Sequence, residues 1–434
     1  MKFERSNALR ERFHALIPGG AHTYAKGDDQ FPEGMAPYIV RGQGCRVWDV
    51  DGNEFIEYGA GLRAVGLGHA FAPVLDGVRR QLELGSNFVR PSRIELECAE
   101  TFLECVPADM VKFCKDGSHA MSGAVKLARA CTGRDLIAVC GNHPFFSVDD
   151  WFIGVSPMPG GVPQATRDLT LKFGYNDLRS LDLLFEQHAG RIAAVILEAE
   201  KDQPPTPGFL AGVRQLCDRH GALLVLDEMI TGFRWHLGGA QTLHGVEPDL
   251  SAFGKALGNG FSVSALAGRR EYMRRGGTAH DEERVFLLST THGAETHALA
   301  AAIATLRVYQ REPVVDTLWA RGRQLRAGIE QAAASAGVAT QVPVLGPPCC
   351  LVFGSRDADG EPSQAYRTLL LQELIERGVL ATSLVVNYSH TPADIDQTID
   401  AFAGALTVYR RALENGIEGY LRGRPVQPAI RPRR

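Results

Sequence analysis

The sequence has no strong excess of either charge and no long apolar run. Its 434 residues contain 46 Lys and Arg against 50 Asp and Glu, a formal net charge of -4. This balance does not favour nucleic acid or a membrane surface as a partner. No run of about 18 apolar residues suggests a membrane span. The N-terminus carries Glu4 and Glu11 in an amphipathic helical pattern, unlike the apolar core of a signal peptide. We expect a cytoplasmic protein that acts on small molecules.

The cysteines also lack a pattern. They number nine, an odd count, and are scattered without the close pairs of a zinc site. This predicts reduced thiols, with no disulfide framework and no bound metal. The adjacent Cys349 and Cys350 suit a buried strand.

Short apolar runs alternate with helical patterns through the middle of the chain. Three of the runs cover 136–140, 192–198 and 222–228, and a helix is predicted over 209–220. This alternation is typical of an α/β fold with a mostly parallel sheet and crossover helices. A hydrophobic content of 45% in 434 residues is enough for two or more domains.

The pattern changes near residue 310 to a long helix, a few short strands and two more helices, which predicts a smaller α+β domain. The string CRVWDVDGNEFIEYG predicts a hairpin turned at 51–53. We therefore predict an N-terminal segment 1–70 that joins the small domain, a large domain 71–308, a C-terminal small domain 309–422, and a flexible proline- and arginine-rich tail 423–434.

A lone lysine, Lys255, stands in the small and apolar stretch SAFGKALGNG, where its charge is costly unless it is paired or used. The apolar run ALLVLDE delivers Asp227 to a strand end, where ligands of parallel sheets bind. A carboxylate in apolar surroundings can hold a protonated ring nitrogen, and a desolvated lysine can become a nucleophilic amine. Together they predict a site for pyridoxal phosphate (PLP). A solvated loop lysine and a helix-capping carboxylate are the alternatives.

Two helix starts are candidates for binding the phosphate. Gly117 and Ser118 open a helix in KDGSHAMSGAVKLARA, and the free N–H groups and dipole at such an end bind phosphate. Serine is also an ordinary N-cap. Thr290 and Thr291 precede a second helix, as caps or as phosphate ligands.

Several ordered strings resemble the class III aminotransferases, and most of all their glutamate-1-semialdehyde aminomutase branch: VLDEMITGFR, AFGKALGNG, KDGSHAMSGAVKLARA, STTHGAET and VWDVDGNEFIEYGAGLRAVGLGH. The resemblance covers nearly the whole chain. It implies fold type I of the PLP enzymes, and a homodimer with active sites at the subunit interface.

The resemblance also implies roles for individual residues. Lys255 would hold PLP as a Schiff base and Asp227 would partner the pyridine nitrogen, with Met229 on one ring face. Gly117 and Ser118 match the phosphate-binding pair of the family. Thr291 matches a threonine that reaches the phosphate of the neighbouring subunit.

Other positions depart from the aminomutases around the cofactor. His119 stands where they usually have a glutamate, and GNHPFFSVDDWF replaces their Tyr-His-Gly segment. We favour Phe145 over His143 as the residue that stacks on the cofactor ring, with core packing of Phe145 and Phe146 as the alternative. Glu198, at the end of IAAVILE, is a further candidate cofactor-binding residue.

The substrate side departs as well. GGAHTYAK replaces the GGxxSPxR segment, so Thr23 and Lys26 stand near the position of the arginine that binds the substrate carboxylate in aminomutases. Arg63 is a third substrate candidate, for an anionic group, with a structural or solvated arginine as the alternative. The segment LATSLVVNYSHTPADID offers no clear counterpart of the aminomutases' C-terminal acidic residue.

These departures favour an aminotransferase that moves an amino group from a donor to a carbonyl acceptor. The subgroup it resembles acts in surface-polysaccharide or secondary-metabolite pathways. The first alternative is the aminomutase, an isomerase that moves the amine between neighbouring carbons of one molecule. A non-catalytic protein on this fold is less favoured, because Lys255 and Asp227 are both present.

Overall fold

The computed structural model describes residues 1–431, which form two compact units. The small unit comprises Met1–Phe71 and Asp316–Arg431, and the large unit comprises Ala72–Val315. The sequence predicts these boundaries at 70/71 and 308/309. The end of the predicted tail, 432–434, lies outside the described residues.

The bounds of the regular elements follow in chain order. The strands are β1 (Ile39–Gln43), β2 (Arg46–Asp49), β3 (Glu54–Glu57), β4 (Met110–Cys114), β5 (Leu136–Cys140), β6 (Thr170–Phe173), β7 (Ile192–Leu197), β8 (Leu223–Asp227), β9 (Leu250–Phe253), β10 (Ser264–Gly268), β11 (Val344–Leu345), β12 (Val352–Phe353) and β13 (Val379–Leu380). The helices are α1 (Glu4–Leu16), α2 (Ala60–Arg63), α3 (Ala72–Leu82), α4 (Arg93–Leu103), α5 (Gly117–Thr132), α6 (Asp150–Ile153), α7 (Gln164–Arg167), α8 (Leu178–Gln187), α9 (Phe209–His220), α10 (Ala240–Leu243), α11 (Arg270–Met273), α12 (Thr296–Arg311), α13 (Val314–Ser335), α14 (Gln364–Glu376) and α15 (Pro392–Asn415).

The large unit is built on a seven-stranded sheet in the order β4-β10-β9-β8-β7-β5-β6. Neighbouring strands pair in parallel, except that β10 is antiparallel to both β4 and β9. The predicted runs 136–140, 192–198 and 222–228 are confirmed as β5, β7 and β8, and the helix over 209–220 as α9. All residues of these three strands are buried. Burial on both faces explains why each run is continuously apolar.

The small unit contains a sheet in the order β1-β2-β3-β13. The predicted hairpin is confirmed, since β2 and β3 pair antiparallel with Trp48 opposite Glu54. Asp49 stabilises its turn by accepting hydrogen bonds from the N–H groups of Asp51 and Asn53 at 3.0 and 2.8 Å. β13, far along the chain, adds in parallel to β3.

The nine cysteines are free thiols, and all except the half-buried Cys131 are buried. The strand prediction for Cys349 and Cys350 is wrong. Both are buried, but they lie in a 3-10 turn, Pro348–Cys350, that a proline opens between β11 and β12. A proline pair at 347–348 lacks the N–H groups that a strand ladder needs.

The first part of the predicted flexible tail makes defined contacts in the small unit. Val426 is 2% exposed, and its N–H donates to Oγ1 of Thr368 at 2.8 Å. Nη2 of Arg431 lies 2.6 Å from a carboxylate oxygen of Asp29. Among the helices of residues 1–431, none has the length and apolar character needed to cross a membrane.

Candidate active site

Lys255 follows β9 and Gly254, and begins a 3-10 turn that runs to Gly258. Its φ of +47° lies in the left-handed region, which is unfavourable for a residue with a side chain. Gly254 allows the close packing there, because a Cβ at this position would lie 2.4 Å from Oγ of Ser264 and 2.7 Å from Sδ of Met229. The backbone of Lys255 is therefore fixed by its surroundings, with its side chain half-buried.

Asp227 is the last residue of β8 and is 5% exposed. Its Oδ1 accepts a hydrogen bond from the backbone N–H of Met229 at 2.9 Å. Burial raises the pKa of this carboxyl to about 6, and the positive charge of Lys255 opposes that rise. The ionised form of Asp227 thus gains from a cation beside it, such as a protonated ring nitrogen.

Met229 connects the elements that carry these residues. Its Sδ lies 4.0 Å from Oγ of Ser264 on β10. A Cβ on Gly117 would lie 2.8 Å from the same sulfur, nearly as close as one on Gly254. The structure therefore brings the end of β8, the segment before Lys255 and the start of α5 together around Met229.

The N-terminus of α5 presents backbone donors. Asp116 is the N-cap, and its Oδ1 accepts a hydrogen bond from the N–H of His119 at 3.0 Å. The N–H groups of Gly117 and Ser118 precede the one that Asp116 caps, at the positive end of a helix of 16 residues. Such an end can bind a phosphate. The side chain of His119 is instead close to the cap, with Nδ1 3.3 Å from Oδ2 of Asp116.

The segment that replaces Tyr-His-Gly packs against this helix start. Oγ of Ser118 accepts a hydrogen bond from the N–H of Val148 at 3.1 Å. Within this segment Phe146 is 2% exposed, whereas Phe145 is 44% exposed. The core-packing alternative thus holds for Phe146, and Phe145 leaves much of its ring accessible to a ligand.

His143 and Glu198 meet in the interior. Glu198 follows β7, and its backbone N–H donates to Nδ1 of His143 at 3.0 Å. Both residues are 4% exposed. Burial lowers the pKa of His143 to about 3, so the ring is neutral, with its proton on Nε2 because Nδ1 accepts. Enclosed in this way, His143 offers a ligand less accessible ring surface than Phe145.

Thr291 lies in an exposed loop before α12. That helix begins at Thr296 with Glu295 as the N-cap, so the capping alternative is wrong for Thr290 and for Thr291. The carbonyl of Thr291 accepts a hydrogen bond from Nδ2 of Asn87 at 3.1 Å. This contact holds the loop through the backbone carbonyl of Thr291, and the residue stays exposed at the surface.

Glu295 is a residue of this region that the sequence does not point out. Its carboxylate pairs with Nζ of Lys115 and lies 3.1 Å from Nδ1 of His292. Lys115 directly precedes the N-cap Asp116, so Glu295 links the loop of Thr291 to the start of α5. No local pattern predicts this pair, because Lys115 and Glu295 are 180 positions apart.

The three substrate candidates belong to the small unit, and the other candidates to the large unit. Thr23 and Lys26 share one turn, in which the N–H of Lys26 donates to the carbonyl of Thr23 at 2.8 Å, and both residues are exposed. Arg63 is half-buried at the end of α2 with a φ of +69°.

Comparison with known proteins identifies relatives along nearly the whole chain. The model of the family described as aminotransferase class III matches residues 25–406. A glutamate-1-semialdehyde 2,1-aminomutase from Syntrophobacter fumaroxidans is 34% identical, over 93% of this chain and 98% of the relative. One from Desulforudis audaxviator is 35% identical, over 92% of this chain and 96% of the relative.

Solved structures agree with this similarity. The FumI protein of Sphingopyxis sp. MTA144, in a form with PLP, has a TM-score of 0.87 at 29% identity, covering 96% of this chain and 99% of its own. An omega-transaminase from Sphaerobacter thermophilus has a TM-score of 0.84 at 29% identity, covering 93% of this chain and 97% of its own.

Proposed function

The chain belongs to the class III aminotransferases, PLP-dependent enzymes of fold type I, and we propose that it catalyses an aminomutase reaction. In this reaction the amino group moves between neighbouring carbons of one molecule. The observation that carries the proposal is that relatives 34% and 35% identical, over more than 90% of this chain, are glutamate-1-semialdehyde 2,1-aminomutases. They favour this reaction over the surface-polysaccharide or secondary-metabolite aminotransferase that the altered segments predict.

The geometry of the large unit fits PLP. The pKa of the buried Asp227 is raised in spite of the charge of Lys255, so its ionised form would be stabilised further by a protonated pyridine nitrogen. The absence of a side chain at Gly117 lets the start of α5 pack closely on Met229, since a Cβ there would lie 2.8 Å from Sδ of Met229. We assign the phosphate to the N–H groups of Gly117 and Ser118, and the two ring faces to Met229 and Phe145. His119 and Glu198 stay predictions as neighbours of the cofactor, and Thr291 as a phosphate ligand from a second subunit.

The chain's own groups account for the steps around the cofactor. PLP, when bound, supplies an electron sink for the carbon that carries the amine. The amine of Lys255 holds the cofactor and, once displaced by the substrate, takes and returns a proton at that carbon. Asp227 keeps the positive charge on the ring nitrogen, on which the electron sink depends. The buried strand ends around Met229 exclude water from this side of the site.

The second candidate is a transaminase that exchanges amino groups between two molecules. The residues that discriminate between the two reactions lie on the substrate side, where Lys26 replaces the arginine of the aminomutases. Lysine lacks the two-pronged geometry with which arginine binds a carboxylate. This substitution favours a different substrate, and with it the transaminase.

A product analysis separates the two candidates. The PLP-loaded enzyme is incubated with glutamate-1-semialdehyde alone, and the positional isomer of the substrate is measured by mass spectrometry after chromatography. In parallel, a panel of amino donors is tested with carbonyl acceptors. Isomer formation without a second substrate supports the aminomutase. Turnover that requires a donor and an acceptor overturns it in favour of the transaminase.

The matched control is Lys255→Ala. We expect this variant to fold and to form neither product. Borohydride reduction should also fail to fix the cofactor on it, while fixing PLP on the wild-type protein. Cofactor fixed on another lysine of the variant would contradict the assignment of Lys255.

A further inference from the structure

The short element α2 in the small unit is left-handed. Its four residues, Ala60, Gly61, Leu62 and Arg63, have φ values of +46°, +58°, +60° and +69°. Residues with a side chain adopt this region singly and at an energetic cost, because the Cβ approaches the backbone carbonyl. Three such residues in one turn are therefore a concentration of backbone strain.

Hydrogen bonds hold this turn in place. The N–H of Arg63 donates to the carbonyl of Gly59, and that of Val65 to the carbonyl of Ala60, each at 2.9 Å. The N–H of Ala60 donates to a carboxylate oxygen of Glu57 at 3.0 Å.

The same carboxylate oxygen lies 3.1 Å from Nε2 of His69. Glu57 thus joins the beginning of α2 to a residue beyond its end. Strain that the surroundings maintain in this way is typical of segments whose shape serves a function.

The functional group that the turn carries is the guanidinium of Arg63. A guanidinium binds a carboxylate through two parallel hydrogen bonds, and it is always charged. Lys26, at the position of the aminomutase arginine, has no such geometry. Among the three substrate candidates Arg63 is therefore suited to this recognition.

We propose that α2 is a substrate-recognition element, whose left-handed turn holds Arg63 for a carboxylate group of the substrate. The inference rests on the proposed function for the existence of such a substrate. Left-handed geometry fixes the direction in which the Arg63 side chain leaves the backbone. Preorganisation of this kind lowers the entropy lost when the side chain binds.

The test uses glutarate, a dicarboxylate without an amino group, as a probe that binds without turnover. Titration calorimetry on the full-length protein with PLP gives its Kd. We expect Arg63→Gln to raise this Kd about 10- to 100-fold, as the loss of a charged hydrogen-bonding partner does. Arg63→Lys, which keeps the charge but loses the fork, should recover only part of the affinity.

A second pair of variants tests the turn itself. Ala60→Gly relaxes α2 without touching Arg63, and we expect it to raise the Kd for glutarate about 3- to 10-fold by loosening the arginine. Ala70→Gly is the matched control, because Ala70 has a φ of +50° but is exposed and lies outside α2. It should leave the Kd unchanged. Circular dichroism on all variants checks that they are folded.

Activity provides a second, independent measurement. With glutamate-1-semialdehyde as the substrate, Arg63→Gln should raise KM more than it lowers kcat, because the arginine binds the carboxylate of the substrate without taking part in the proton transfers. If Arg63→Gln loses glutarate binding while the wild-type enzyme forms no isomer of glutamate-1-semialdehyde, the recognition role of Arg63 stands and the proposed reaction is overturned. Wild-type protein that binds no glutarate, or Arg63→Gln and Ala60→Gly variants that bind it as the wild type does, would overturn the inference about α2.

Discussion

At the scale of single residues, Asp227 ties the protein's stability to its cofactor. Burial raises its pKa to about 6. In the absence of PLP, the carboxyl of Asp227 therefore binds a proton more tightly in the folded protein than in the unfolded chain. Its contribution to the free energy of unfolding therefore falls as the pH rises from about 4 to 6. A protonated pyridine nitrogen beside Asp227 would add to the positive charge of Lys255 and offset this loss of stability.

The first prediction concerns Asp227→Asn. The cofactor-free variant should lose the decline in stability between pH 4 and 6, because the amide does not ionise. Its turnover with PLP should fall at least about 100-fold, since the ring nitrogen loses its charge partner. Urea unfolding at several pH values and steady-state kinetics measure the two effects. Wild-type turnover in this variant would refute the assigned role.

The sequence predicts Lys255 and Asp227 because each stands out locally, as a charge at the edge of an apolar run. It does not predict the contacts of Met229 with Gly117 and Gly254, since these join segments far apart in the chain. The sequence also does not predict that Phe146 is buried and Phe145 exposed, because the two residues are adjacent and identical and only the fold decides which one faces the core.

A second prediction at this scale concerns His143. Its pKa of about 3 lies below the ordinary value of 6.5, so the unfolded state binds the proton more readily. Stability is therefore lost as the pH falls, by about 2 kcal/mol between pH 6.5 and 5. His143→Phe should reduce this acid sensitivity, as measured by urea unfolding. His22→Phe, at an exposed histidine, is the control and should not change it.

At the scale of elements, the positive end of the α5 dipole coincides with Gly117, a glycine that packs closely on Met229. Gly117→Ala should weaken PLP binding about tenfold, because the new Cβ would lie 2.8 Å from Sδ of Met229 and must displace the helix start or the methionine. Methionine is flexible, so we expect the variant to fold. Spectrophotometric titration gives the Kd for PLP.

The control for this variant is Gly160→Ala. No atom lies within 4 Å of a Cβ built at Gly160. It should bind PLP as tightly as the wild-type protein. Equal affinity in the Gly117 variant as well would show that the close approach at Gly117 is not part of the phosphate site.

Elements differ in how far the sequence predicts them. The strands β5, β7 and β8 are predicted with nearly their final bounds, because burial on both faces leaves an unbroken apolar run. The direction of β10 is not predictable in this way, since its residues Ser264–Gly268 are just as buried. The antiparallel pairing of β10 with β4 and β9 depends on the path of the chain between these strands, which the residue types of β10 do not indicate.

At the scale of the whole molecule, we propose a homodimer in which Thr291 serves the phosphate site of the second subunit. Thr291 is exposed in the single chain. If PLP binds only the assembled sites, added PLP should weaken dissociation of the dimer by mass action. Analytical ultracentrifugation across protein concentrations, with and without PLP, measures this shift.

Thr291→Val should reduce the effect of PLP on dimer dissociation, because the hydroxyl is replaced by a methyl of similar size. Thr290→Val, at the exposed neighbour, is the control and should keep the effect. A fully active monomer that retains PLP would exclude the shared site.

The buried thiols can serve as natural probes of local unfolding, because they become accessible to reagents only when the structure around them opens. Burial raises the pKa of Cys140 to about 11, which suppresses the reactive thiolate and hides it from alkylating reagents. Cys45, Cys349 and Cys350 are buried in the small unit, and Cys140 and Cys217 in the large one, so each becomes accessible to such a reagent only when its own unit opens. Isotope-coded alkylation during mild heating, read by mass spectrometry, should therefore reveal which unit unfolds first, with no label or mutation introduced.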